Sequence, residues 1–297
     1  MTANRVWGPA MAVSLAMLLN VPTAGAQAAC TMAQIAGTYA FESHGSITSA
    51  LQPVAPIDWS MVSRPFIFVG SFTVDADGPM AGEGWVILGR ISSGLVTRPF
   101  VGQLVELDQT TCTAVLEWVG SPAPGAPAGL HRERLVFVDS GREFRSMLKQ
   151  SPSGTMAWTG RGHRITSTAV GTCGPHLLKG GALIQCEAIG AAGTSASAAS
   201  MSMLTVAGDG SFTGLSFVKD PTYSELPVEG ALDVQPNCAV EAWLQSPSLP
   251  GLVNHGRGMV FETGKRGFLI MPLESTLPDS STVRPVFARC DLLSTAR

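Results

Sequence analysis

Apolar and polar residues alternate along short stretches of this chain, many of them β-branched or aromatic, and Gly, Pro, Asn or Asp ends each stretch. No window sustains the 3.6-residue apolar period of a helix, so the pattern predicts strands throughout. In the first half they fall at residues 38–42, 65–74, 82–89, 96–107, 112–118, 134–138, 143–148 and 155–164. This number of strands in one domain suits an antiparallel up-and-down barrel of about eight strands, which closes on itself and exposes no edge.

The same landmarks occur twice in one order. Cys30 precedes Gly37 by seven residues, and Cys173 precedes Gly180 by seven. Phe72-Thr-Val-Asp-Ala-Asp77-Gly78 with Gly82 answers Leu204-Thr-Val-Ala-Gly-Asp209-Gly210 with Gly214. Cys112-Thr-Ala-Val-Leu-Glu-Trp118 answers Cys238-Ala-Val-Glu-Ala-Trp243 with a single gap, and Phe137-Val-Asp-Ser-Gly141-Arg142 answers Val260-Phe-Glu-Thr-Gly264-Lys265. The reading is therefore an all-β chain of two tandem barrels, residues 29–168 and 172–293. The Asp-Gly pairs are expected in two-residue hairpin turns, where Gly supplies a positive φ without steric cost. Residues 121–129 and 191–200 are low-complexity loops expected at barrel ends.

Residues 1–28 read as a signal peptide: Arg5, an apolar stretch from Ala10 to Val21, then small residues ending at Ala28. That stretch is too short to span a bilayer of about 30 Å, and no later segment is longer. The expected location is outside the cytoplasm, periplasmic or extracellular. Six cysteines, none in a CxxC pair, then point to disulfides in an oxidising compartment, with pairing open at this level. With 45% hydrophobic residues, 14% charged and a net charge of -3, the chain can build a core and offers no basic surface for nucleic acid. Strands broken by Pro, Gly and charge argue against a lipid-facing barrel.

The order Cys, Gly37-Thr38-Tyr39, Asp-x-Asp-Gly, Cys-Thr and Val-Asp-x-Gly-Arg-Glu resembles small secreted bacterial barrels of the lipocalin-like, calycin type, whose function is unassigned. In the lipocalin pattern an aromatic residue after a first-strand glycine is capped by an arginine from the last strand. The resemblance implies that Arg161 or Arg164 caps Tyr39. The second copy has Gly180-Gly181-Ala182 without an aromatic residue, with Arg289 available on its last strand. Correspondence between the copies then suggests Cys30–Cys112 and Cys173–Cys238, leaving Cys186 on a first strand to meet Cys290 on a last.

Searching for chemistry yields little. Gly214-Leu-Ser216-Phe-Val lacks the second glycine of a serine elbow, and no zinc-protease, P-loop or dinucleotide motif occurs. No cofactor or metal is expected, because the five histidines, His44, His131, His163, His176 and His255, lack ligand spacing. His131-Arg132-Glu133-Arg134, with Arg161, His163 and Arg164, would suit a barrel mouth holding an anionic head, though a solvated strand end is the simpler reading. Alternation places Glu42 opposite Tyr39 and Phe41, which makes it a poor interior acid. Trp118 and Trp243, with Phe72, Phe100, Phe137 and Trp158, would line a cavity or, more simply, fill a core.

The leading expectation is an exported noncatalytic tandem barrel that binds a small apolar or amphipathic ligand. The alternative is a structural or interaction protein with filled barrels, using its outer surface toward a surface protein; a small-barrel enzyme ranks last. A cavity above about 300 Å³ would separate the first two.

Overall fold

The computed structural model describes residues 30–50, 61–88, 95–120, 129–152, 156–166, 172–189, 199–220, 222–249, 253–262, 265–275 and 284–295. The signal-peptide reading and most of both low-complexity loops lie outside these residues. Sixteen strands form two closed antiparallel barrels in tandem, β1 to β8 and β9 to β16, as the alternation predicts.

The first barrel comprises β1 (Gly37–Ala50), β2 (Met61–Val74), β3 (Pro79–Leu88), β4 (Val96–Asp108), β5 (Thr113–Gly120), β6 (Leu130–Val138), β7 (Glu143–Gln150) and β8 (Met156–Ile165). The second comprises β9 (Ala182–Ile189), β10 (Ala199–Val206), β11 (Ser211–Asp220), β12 (Thr222–Val234), β13 (Ala239–Gln245), β14 (Val253–Phe261), β15 (Arg266–Ser275) and β16 (Arg284–Ser294). Each strand pairs with its sequence neighbours, and pairing of β1 with β8 and of β9 with β16 closes the circles. No helix among the described residues is long and apolar enough to cross a membrane.

The paired landmarks have the same local geometry in both barrels. A short helical turn precedes each first strand, α1 (Met32–Ile35) before β1 and the 3-10 turn at Pro175–Leu178 before β9. Ile35 and Leu178, each five residues after a cysteine, are fully buried plugs at the barrel base. Gly37 and Gly180 both take positive φ. The amide of Phe137 donates to the Cys112 carbonyl and that of Val260 to Cys238, at 2.9 Å in each case.

The Asp-Gly turns are one residue longer than expected. Gly78 N–H donates to the Asp75 carbonyl, while Asp75 N–H donates to Pro79, so three residues form the loop. Gly210 repeats the geometry with Ala207 and Ser211. In the equivalent turn before β13, Cys238 N–H donates to Gln235, and Cys238 itself adopts the positive φ. The three disulfides are Cys30–Cys112, Cys173–Cys238 and Cys186–Cys290, the pairing that correspondence between the copies suggests.

The interiors differ in chemistry. The first barrel is filled by aromatic rings, Tyr39, Phe41, Phe66, Phe68, Phe72, Phe100, Trp118, Phe137, Phe144 and Trp158, all buried. Glycines make room for them: a Cβ on Gly82 would stand 2.6 Å from the Phe100 ring. The second is aliphatic, with Ile184, Leu204, Leu232, Val240, Leu269 and Leu292 around the Cys186–Cys290 bridge. Charged residues such as Glu106, Arg132, Arg134 and Arg145 face outward.

Candidate functional site at the junction of the barrels

Outward-facing residues of β1, β2, β3 and β8 meet those of β14, β15 and β16. Ala40, Ile67, Val69, Ile87 and Ile165 from the first barrel are almost wholly buried, as are Met259, Phe261, Phe268 and Ile270 from the second. An outer barrel face with aliphatic residues in place of charges is what lets the two units pack as one body.

Glu42 stands inside this apolar seam and is fully buried. It projects from β1 directly opposite Arg161 of β8, whose Nε donates to Glu42 Oε1 at 2.9 Å. Arg289 of β16 reaches the same oxygen at 3.3 Å from the other barrel. Arg161 also pairs with Asp291 and lies over the Phe268 ring, 4.8 Å from its centre. Arg289 contacts His44 Nδ1 at 3.2 Å and Glu187 at 3.2 Å. Burial pushes the Glu42 carboxyl upward against the pull of the two arginines. Burial, then Arg289 and Arg161, push His44 down. The network orders charges across the seam.

Beside the seam lies a cleft of about 820 Å³, lined by Thr38, Asp139, Arg142, Glu143, His163, Arg164 and Glu262. His163 and Glu143 are cross-strand partners on the outer face, and Glu262 approaches from the end of β14. His163 Nδ1 is 3.4 Å from Glu143 and 3.8 Å from Glu262. The imidazole stacks on Phe261 at 4.5 Å.

The residues singled out in sequence are distributed over separate places. His131 and Glu133 point into the first barrel, whereas Arg132 and Arg134 point out. His131 stacks on Trp118 at 4.4 Å, and burial pushes its pKa down to about 4. Glu133 accepts from Trp118 Nε1 at 2.9 Å, and its carboxyl is pushed up by burial. The space left in that interior is about 20 Å³, room for one water.

Arg161 belongs to the seam. Arg164, three residues on, points toward the barrel base, donating to the carbonyls of Gln34 and Ala36. Its guanidinium covers Gly37, where a Cβ would stand 2.6 Å from Nε. The Tyr39 hydroxyl lies 2.8 Å from the Ile35 carbonyl and 2.7 Å from Gly141, donating its one proton to either. Burial, opposed by Arg164, pushes Tyr39 up to about 12.

Trp243 lies on the outside of the second barrel, stacked on His255 at 5.4 Å. Its spacing from Cys238 is one residue shorter than that of Trp118 from Cys112, and one residue reverses the face of a strand. Arg289, available in sequence as a second cap, faces the seam; Thr295 packs against Gly181 instead. Glu262 and the burial of Glu42 were missed by sequence reasoning. The signal for Glu262 was its alignment with Asp139, both of positive φ. No known protein family matches this chain, and no curated protein is detectably similar to it.

Proposed function

We propose that this chain is an exported, noncatalytic interaction protein of lipocalin-like build, working from its outer surface instead of from a barrel lumen. The observation that carries this reading is the interior of the first barrel, where aromatic packing leaves about 20 Å³. A site for a small apolar ligand needs roughly 300 Å³ or more. The Gly37–Tyr39–Arg164 arrangement supports the lipocalin-like likeness. Three disulfides, with the amino-terminal leader pattern, support export.

Two exposed apolar rows supply contact faces. Val101, Val119 and Leu130 are direct neighbours across β4, β5 and β6, and each is exposed. Met201 and Met203 are exposed on β10, opposite Phe217 and Leu215 of β11. Methionine adapts to irregular partners, and rows of this kind are characteristic of protein contacts. Native mass spectrometry of the mature protein from its own host tests the reading. Bare chain with three disulfides, free of any organic ligand, is the expected result. A stoichiometric apolar molecule released on denaturation would overturn it.

A further inference from the structure

We propose that Glu143, His163 and Glu262 form a binding site for a divalent cation of the zinc class that ties the two barrels together at the mouth of their cleft. The inference stands apart from the interaction reading and does not depend on it. Glu143 and His163 are directly opposed on β7 and β8, so the ladder sets both side chains on one outer face. Glu262 follows β14 of the other barrel, in a positive-φ conformation that turns it out of the strand. One donor atom from each residue lies within 4.8 Å of the others.

The geometry is close to that of a bound ion. Bonds of about 2.0–2.1 Å in a tetrahedral zinc site set donor atoms roughly 3.3 Å apart. His163 Nδ1 already stands 3.4 Å from Glu143 and 3.8 Å from Glu262, so the remaining adjustment falls on the mobile ends of two glutamates. The imidazole needs none: it is 6% exposed and held flat against Phe261, 8° from parallel, with Phe268 on another side. Packing against two rings holds the imidazole in one orientation, as a metal ligand requires.

The donor set selects the metal. One imidazole with two carboxylates suits zinc and similar first-row ions, and three protein ligands leave a fourth position open to the cleft. Calcium requires six to eight oxygens and finds too few here. All six cysteines are committed to disulfides, so no thiolate site competes. Two carboxylates are brought toward one histidine; Arg142 and Arg164 also line the cleft, and Arg266 pairs directly with Glu262 at 3.6 Å. Arg266 is therefore a direct internal competitor for the metal.

The test uses the mature, oxidised chain, stripped with chelator and titrated with zinc chloride by isothermal calorimetry. One zinc per chain is expected, with no comparable heat from calcium chloride. Glu262→Gln, at an exposed position, should weaken zinc at least tenfold while leaving the circular dichroism unchanged. His163→Phe, which keeps a ring against Phe261, should also weaken zinc at least tenfold, and Arg266→Gln should tighten binding severalfold. The proposal is overturned if the wild type takes up no zinc. It is equally overturned if zinc binds but Glu262→Gln leaves its affinity unaltered, which would place the ion elsewhere.

Discussion

Glu42 of the first barrel and Arg289 of the second meet at 3.3 Å within a largely apolar seam, although 247 positions separate them in the chain. A fully buried carboxylate that loses one of two arginines keeps its desolvation cost and forfeits part of the compensation. Removing one partner of such a pair costs about 3 kcal/mol. Arg289→Met is expected to lose that much, and Glu42→Gln added to it should restore part. A denaturant double-mutant cycle measures the coupling; a value near zero would mean that the pair does not hold the barrels together.

Acid should weaken the first barrel through His131. Its folded pKa of about 4 lies below the ordinary 6.5, so the unfolded chain binds the proton first. The stability it contributes is complete above 6.5 and is lost as the pH falls toward 4, on the order of 3 kcal/mol. Glu42 and Glu133 act in the opposite sense: with folded pKa values raised, they disfavour the fold as the pH rises through those values. His131→Phe should therefore flatten the loss between pH 6.5 and 4, as read from urea midpoints at each pH.

Tyr39 is both a core residue and a clasp. Tyr39→Phe keeps the ring contacts with Phe72 and Phe144 and removes the bond to the base of the barrel, at an expected cost of about 1–2 kcal/mol. In the wild type, ultraviolet titration should show this phenol resisting ionisation until about pH 12, apart from the exposed Tyr223.

Emptying the first barrel should create what it lacks. Phe68 packs on Phe41, Phe100 and Trp118. Phe68→Ala should cost about 3–5 kcal/mol and open a void that takes up a small apolar probe such as benzene. Benzene binding by the wild type would contradict the filled interior.

The bridge from Cys186 to Cys290 joins directly opposed residues on β9 and β16, the two strands whose pairing closes the second barrel. Replacing both by Ala is expected to cost about 2–4 kcal/mol. Thermal unfolding with and without reductant, compared between variant and wild type, isolates this bond from the other two.

Much of the fold was legible because period-2 alternation and turn residues act locally, and because two copies of one pattern check each other. The cysteine correspondence belongs to that class. Alternation also set Glu42 correctly on the outer face, yet it cannot say that another barrel covers that face. The same ignorance divided Arg161 from Arg164, three residues apart and serving different ends of the structure. Trp243 shows the cost of a gap: one residue fewer carried the indole from core to surface. The cluster of Glu143, His163 and Glu262 was hidden for a similar reason, since its third member comes from across the seam.

Each disulfide begins and ends within one barrel, so no covalent bond except the backbone itself joins the two. A single protease cut between β8 and β9 would therefore divide the molecule into two separately cross-linked pieces even before any reductant is added. They would migrate apart on a denaturing gel but together on a sizing column for as long as the seam survived. The seam is thus a joint whose strength can be weighed by itself, because nothing else would be holding the halves.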